Sequence, residues 1–253
     1  MAPRKRPSRA ADPTPRAESE MRVIGGRLRG SKLAYEPLRP LGTPGGAPVT
    51  RPMKHRVREA IFNLVGIEAK GKHALDLFAG TGALGIEAVS RGALSALFIE
   101  RHVPTAAVVE RNLTTLGVAD QCELLKTSAF LWAARDLPAY EGPLEDSPPG
   151  EVGAGEAGAA ERRRRPWLAF VSPPYDFFVE RADEMLSLIF ALEEHAPAGS
   201  MLVVEADKRF DFTQLGHVRE TRHDTGWDVR PYSPAVVGVW RVDDQHDERR
   251  SQD

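Results

Sequence analysis

The segment LDLFAGTGALGIEA, residues 75–88, constrains the fold more than any other part of the chain. A short apolar run leads into a turn with glycines at positions 80 and 82, and apolar residues at helical spacing follow. Glycine lets the backbone take a positive φ and approach a ligand closely, and the N–H groups that open a helix face the same side. The segment therefore predicts a strand, a ligand-binding turn and a helix, which together form the first unit of an α/β sheet.

Short apolar runs alternate with helical patterns along most of the remaining chain, which is typical of βαβ units and a parallel sheet. We predict parallel strands at 73–79, 95–100, 122–126, 167–171 and 201–206. We predict helices at 57–65, 83–91, 103–116 and 179–195. The chain then forms a hairpin whose second strand covers 235–242. A doubly wound, Rossmann-like α/β sheet with five parallel strands and an antiparallel edge pair is the arrangement of class I methyltransferases.

The turn at 78–82 has two interpretations, because two classes of enzyme place an adenosine cofactor there. Gly80, Gly82 and Gly85 match the GxGxxG pattern of dinucleotide dehydrogenases. Asp76, however, completes a DxFxGxG pattern, and the chain has no separate substrate domain. We therefore favour S-adenosylmethionine as the cofactor.

Other predicted cofactor contacts follow from position in this fold. Glu100 closes the second strand, where a carboxylate can accept hydrogen bonds from both ribose hydroxyls. Ser128 and Ala129 follow the third strand, where the adenine is normally contacted. The residues of the first loop that we assign to the cofactor are Asp76, Phe78, Gly80 and Gly82.

A second loop, SPPY at residues 172–175, follows the fourth strand and predicts a clamp for a flat, amine-bearing base. An exocyclic amine is a poor nucleophile, so a methylase holds it with hydrogen-bond acceptors in line with the methyl group. Ser172 Oγ and the Pro173 carbonyl are the predicted acceptors, Pro174 helps to fix the turn, and Tyr175 would stack on the base. Either of the next two phenylalanines, 177 or 178, could extend that platform.

Charge is unevenly distributed, although the 253 residues have a net charge of only −2. Nine Lys or Arg residues between positions 22 and 58 accompany a single acid, Glu36. This composition indicates a phosphate-binding face. Its predicted RNA contacts are Arg22, Arg27, Arg29, Lys32, Arg51 and Arg58.

Composition also divides the chain. Residues 1–20 and 244–253 have almost no apolar content and are expected to be disordered, as is an insertion at 141–165 whose four arginines we interpret as solvated. The folded parts are then an N-terminal annex at 21–66, with a basic β-hairpin and a helix, and a catalytic domain at 67–243. A single cysteine and the absence of a long apolar run favour a cytoplasmic protein with no membrane partner.

The chain resembles the bacterial 16S ribosomal RNA guanine-N2 methyltransferase family. The resemblance rests on the glycine turn and the SPPY loop, together with MRVIGGRLRG at 21–30 and TRPMKHRVREAIFN at 50–63. The resemblance implies a class I fold, S-adenosylmethionine as donor, and a guanine amine in 16S ribosomal RNA or a small-subunit particle as acceptor. It also implies that Thr50, Arg51 and Pro52 lie beside the cofactor and the catalytic loop. We expect a monomer that uses no metal.

One departure from that family keeps alternatives open. Its members usually carry Asp or Asn before PPY, whereas this chain has Ser172. SPPY also occurs in many cytosine-N4 methyltransferases, which would share every cofactor residue. A non-catalytic RNA-binding or assembly protein that kept the fold is the remaining alternative.

Overall fold

The computed structural model describes residues 21–35, 55–140, 164–221 and 223–242. The predictions for Thr50, Arg51 and Pro52 fall outside these ranges, as do both expected disordered ends and residues 141–163 of the insertion. Within the described ranges, no helix combines the length and the apolar character needed to cross a bilayer.

One seven-stranded sheet has the order β3-β2-β1-β4-β5-β7-β6. Its strands are β1 His73–Asp76, β2 Ser95–Ile99, β3 Cys122–Leu125, β4 Trp167–Val171, β5 Met201–Asp207, β6 Asp228–Tyr232 and β7 Ala235–Arg241. β1 to β5 pair in parallel, and β7 pairs antiparallel with both β5 and β6. The prediction of five parallel strands with an antiparallel pair at one edge is confirmed.

Six α-helices are found in the described part of the chain: α1 His55–Val65, α2 Ala83–Ser90, α3 Val103–Thr115, α4 Ala129–Arg135, α5 Phe177–Glu180 and α6 Ala182–His195. Helix α4 was not predicted, although its buried residues Ala129, Trp132 and Ala133 have helical spacing. The helix predicted at 179–195 is divided, because the backbone leaves helical geometry at Arg181 (φ −135°, ψ 39°) between α5 and α6.

Helices cover both faces of the sheet, which explains the near-continuous apolar strands. Successive strand residues point to opposite faces. In β2, Phe98 packs in the cluster formed with α1, α2 and α3, whereas Leu97 packs in the cluster formed with α4 and α6. The sheet is therefore buried on both faces, and the loops that follow its parallel strands emerge at its carboxyl edge.

The N-terminal segment 21–35 forms the predicted hairpin, in which Val23 N donates to Ser31 O at 3.0 Å and Leu33 N donates to Met21 O at 2.8 Å. It contains one antiparallel bridge, between Arg22 and Lys32. The backbone N–H groups near its turn bond instead to α2: Ile24 N and Gly25 N donate to the Glu87 carboxylate at 2.8 and 2.7 Å. The turn is thus docked on the main domain, because α2 supplies acceptors for the N–H groups that the two arms of the hairpin do not pair.

The end of the insertion also differs from the prediction. Arg165 was interpreted as part of a solvated run, but it is only 2% exposed and directly precedes the segment that enters β4. The folded chain therefore resumes before residue 166.

Candidate active site

The candidate site lies at the carboxyl edge of the sheet. Because β1 to β4 are parallel, the loops that follow them meet at that edge, close to the point where the strand order reverses between β1 and β4. The glycine turn follows β1, Glu100 follows β2, Ser128 precedes α4, and SPPY follows β4. The fold thus brings the two predicted loops to neighbouring positions.

The glycine turn has the backbone geometry that the sequence predicts. Gly80 and Gly82 have φ values of +56° and +78°, in a region that favours glycine. Space beside Gly80 is open, since a Cβ built there would meet only the Phe78 carbonyl oxygen at 4.0 Å. Gly85 has a packing role instead, because its Cβ would lie 2.4 Å from the Phe98 ring. This open backbone cradle is suited to close approach by a ligand.

Asp76 supports the turn from inside the domain. It is 1% exposed, and its Oδ2 accepts a hydrogen bond from Gly85 N at 3.0 Å. Burial raises the pKa of this carboxyl to about 7, with a further contribution from the Glu100 charge. Asp76 thus anchors the start of α2, and its direct contact with a cofactor stays a prediction.

Glu100 lies beside the glycine turn, and its two carboxylate oxygens accept hydrogen bonds from two different backbone N–H groups. Oε2 accepts from Gly80 N at 3.0 Å, and Oε1 accepts from His102 N at 2.8 Å. Each carboxylate oxygen has a further lone pair. The acceptor set therefore fits a ribose diol, provided that its hydroxyls approach from the cleft.

An aromatic cluster joins the loops after β1, β3 and β4. The Phe78 ring meets the rings of Phe130 and Phe177 edge-on, with centroids 5.8 and 6.2 Å apart. Arg181 lies over Phe130 at 4.1 Å. Ala129, predicted to contact adenine, is 3% exposed, so its contact with a cofactor stays a prediction. Phe130 and Arg181 were not predicted, because only the fold brings their loops together.

The SPPY loop is hydrogen-bonded to a carboxylate that was not among the predicted site residues. Glu205, in β5, is 5% exposed. Its Oε2 accepts from Ser172 Oγ at 2.6 Å, and its Oε1 accepts from Tyr175 Oη at 2.5 Å. Burial raises the pKa of Glu205, although the two hydroxyl donors partly oppose this effect. The available signal was an acid in the otherwise apolar run MLVVEA.

The two phenylalanines after SPPY have different environments. Phe178 is 5% exposed and packs against Phe210 with a centroid separation of 4.5 Å. It therefore belongs to the core, and its predicted part in a base platform was wrong. Phe177 is partly buried in the aromatic cluster described above.

Of the predicted RNA contacts that the structure describes, three are exposed and one was assigned incorrectly. Arg27, Arg29 and Lys32 are exposed, and Arg22 is half-buried with Nη1 donating to Gly30 O at 2.7 Å. Arg58 is 1% exposed, and its Nη2 donates to the Arg22 carbonyl oxygen. Arg58 therefore holds the N-terminal segment against α1, and predicting it as a phosphate contact was wrong.

Asn112, in α3, links the basic segment to the glycine turn. Its Oδ1 accepts from Ala34 N at 2.7 Å, and its Nδ2 donates to the Thr81 carbonyl oxygen at 2.9 Å. The side chain is 2% exposed. No local pattern in the sequence marks this residue, which looks like an ordinary polar position on a helix.

Sequence comparisons identify several relatives of this chain. A family model described as conserved hypothetical protein 95 matches residues 21–138. The chain is 35% identical over 138 residues to the ribosomal RNA small subunit methyltransferase D of Haemophilus influenzae, covering 53% of this chain and 67% of that protein. It is 38% identical over 109 residues to the putative rRNA methyltransferase YlbH of Bacillus subtilis, covering 43% and 54%. The matches thus span about half to two thirds of these curated relatives.

A solved structure supports the fold independently. The putative methyltransferase yhhF from Escherichia coli superposes with a TM-score of 0.58 at 22% identity, covering 89% of this chain and 99% of that one. Strand order, glycine turn and SPPY loop together define the class I methyltransferase fold. Within that class, the chain belongs to the ribosomal RNA small subunit methyltransferase D family.

Proposed function

We propose that this protein transfers a methyl group from S-adenosylmethionine to the exocyclic N2 amine of a guanine in 16S ribosomal RNA. The observation that carries the proposal is the meeting of an open glycine cradle with a hydroxyl-bearing PPY loop at one edge of a class I sheet. The names of its relatives support ribosomal RNA as the substrate.

The proposed cofactor site fits the residues present. The backbone at Gly80 leaves space for the ligand, the positive φ of Gly82 holds the turn, and the Glu100 oxygens are suited to the ribose hydroxyls. The loop at Ser128 and Ala129 would contact the adenine. The bound cofactor would supply an electrophilic methyl group on a sulfonium. Thr50 and Arg51 remain proposed contacts on the basis of the family resemblance.

The proposed catalytic loop holds and orients the base. Ser172 Oγ and the Pro173 carbonyl accept hydrogen bonds from the amine, which favours a tetrahedral nitrogen with its lone pair available. Pro174 restricts the turn, and the Tyr175 ring stacks on the guanine. These residues act by positioning the nitrogen for direct attack on the methyl carbon.

The proposed RNA surface consists of Arg22, Arg27, Arg29 and Lys32. These cations lie on a segment tied to the glycine turn through Asn112, so phosphate binding there would place the RNA near the cleft. We propose an annex at 21–66 and a catalytic domain at 67–243 acting as a monomer in the cytoplasm, on free RNA or on a small-subunit assembly particle.

The test is to incubate the protein and labelled S-adenosylmethionine with unmodified small-subunit particles, free 16S RNA and DNA, and to identify methylated nucleosides by mass spectrometry. N2-methylguanosine supports the proposal. N4-methylcytidine, or its deoxy form in DNA, would assign the SPPY loop to cytosine. Binding of S-adenosylhomocysteine without any product would favour a non-catalytic RNA-binding protein.

A further inference from the structure

A buried carboxylate, that of Glu205, accepts a hydrogen bond from the proposed catalytic serine and has no role in the mechanism described so far. Glu205 is on β5, whereas Ser172 and Tyr175 are in the loop after β4. Both hydroxyls donate to it, one to each oxygen, at 2.6 and 2.5 Å. The carboxylate therefore holds two residues of the SPPY loop from the neighbouring strand.

This contact determines which way the serine hydroxyl can act. A hydroxyl has one hydrogen to donate and two lone pairs to accept with. Because the Ser172 hydrogen is donated to Glu205, Oγ can only accept hydrogen bonds from any other partner. A guanine amine is a donor, so the pair presents to it the acceptor that the reaction requires.

We propose that Glu205 orients Ser172 as a hydrogen-bond acceptor for the target amine and receives, through the serine hydroxyl, the proton that the amine releases. This inference rests on the proposed function. Glu205 acts through Ser172 and is thus a positioning residue that also takes up a proton.

The proton and electron balance is complete with these groups. A bond forms between the amine nitrogen and the methyl carbon, the bond from that carbon to sulfur breaks, and its electron pair stays on sulfur. The nitrogen then has one proton in excess. That proton passes to Ser172 Oγ as the serine's own proton passes to the Glu205 carboxylate. A sulfonium and a carboxylate are thereby replaced by a neutral thioether and a neutral acid.

Burial makes such a carboxylate a suitable acceptor, since desolvation favours its neutral form. Ser172 by itself lacks this capacity, because a serine hydroxyl has no stable state with an extra proton. The Ser172–Glu205 pair therefore combines an acceptor next to the amine with a proton acceptor one hydrogen bond further away.

The first experiment is a double-mutant cycle with Glu205→Gln and Ser172→Asn. Glutamine keeps an acceptor oxygen but cannot take a proton, so we expect kcat to fall by about 100-fold, the lower range for proton-transfer catalysis, while KM for RNA changes little. Asparagine has its own acceptor and no hydroxyl proton to relay. In the Ser172→Asn background, Glu205→Gln should therefore change kcat by less than about threefold.

A binding measurement tests the same idea without turnover. The substrate RNA is prepared with guanosine or inosine at the position that mass spectrometry identifies, because inosine lacks the amine. In the presence of S-adenosylhomocysteine, the wild type should prefer guanosine by about three- to tenfold, the value of one hydrogen bond. Glu205→Gln should lose that preference. Glutamine has one acceptor oxygen for the two hydroxyls, and where its amide nitrogen donates to Ser172 Oγ, the serine hydrogen is free to point at the amine.

Glu193→Gln is the matched control. Glu193 is also a carboxylate whose pKa burial raises, to about 7, and it accepts from Trp227 Nε1 at 3.1 Å. It lies near the end of α6, before the chain enters β5, whereas Ser172 follows the end of β4. Its variant should keep both the wild-type kcat and the guanosine preference. Thermal melting and S-adenosylhomocysteine affinity show whether each variant is folded.

The outcomes separate the two proposals. No methylated product from the wild type would overturn the proposed function, and this inference with it. Normal wild-type activity with an equal effect of Glu205→Gln in the wild-type and Ser172→Asn backgrounds would overturn only the inference, since Glu205 would then have a structural role. The same conclusion follows if Glu205→Gln keeps the guanosine preference.

Discussion

Glu87 should determine whether the N-terminal segment stays docked. This residue of α2 is fully buried, and its carboxylate accepts from Ile24 N, Gly25 N and Arg91 Nε at 2.8, 2.7 and 2.8 Å. A glutamine at this position keeps one acceptor oxygen. Its amide nitrogen would face a backbone N–H, so at least one donor would lose its partner, and Arg91 would lose its ion pair.

The size of the effect follows from these contacts. Hydrogen bonds to a charged group contribute about 1.5–3 kcal/mol, and a buried donor left unsatisfied costs about 1–3 kcal/mol. We therefore expect Glu87→Gln to lower the free energy of unfolding by about 2–4 kcal/mol if the segment stays in place. If the segment detaches locally instead, the global loss is smaller and the loss of protection is confined to residues 21–35.

Urea denaturation measures the global effect, and amide hydrogen exchange at Ile24 and Gly25 measures the local one. Glu110→Gln is the control, because Glu110 is a half-exposed helix residue that pairs with Lys126 at 2.8 Å. An exposed ion pair of this kind contributes about 0–1 kcal/mol. If Glu87→Gln matched this control in stability and left the exchange of both amides unchanged, the proposed anchoring role would be refuted.

Three further changes test other parts of the structure. The pKa of Asp76, about 7 in the fold against an ordinary 3.8, predicts that wild-type stability relative to Asp76→Asn falls by about 4 kcal/mol as the pH rises from 4 to 7 and is constant above; denaturation across this range with a flat difference would contradict it. Gly85→Ala should cost about 1–3 kcal/mol by overpacking against Phe98, and should weaken S-adenosylhomocysteine binding in calorimetry by shifting the start of α2. Arg29→Ala should weaken RNA binding and reduce the slope of log K against log salt by about 1, whereas Arg58→Ala should lower the melting temperature and leave that slope unchanged.

Local sequence patterns were sufficient for the main features of the fold and of the site. The glycine turn, the parallel sheet with its antiparallel edge pair and the positions of Glu100 and SPPY were predictable, because glycine conformation and apolar periodicity are local properties. Parallel strands then place the loops at one edge without further information. The fold and the two loops that form the candidate site could therefore be predicted from the sequence alone.

Side-chain partners separated along the chain were decided only by the tertiary structure. Arg58 has a side chain suited to a phosphate contact and Phe178 one suited to a base platform, yet packing buries both. Glu205 meets Ser172 across 33 positions, and Asn112 meets Ala34 across 78. Such pairs arise because burial and hydrogen bonding depend on which elements the fold brings together, and no local pattern in the sequence records that.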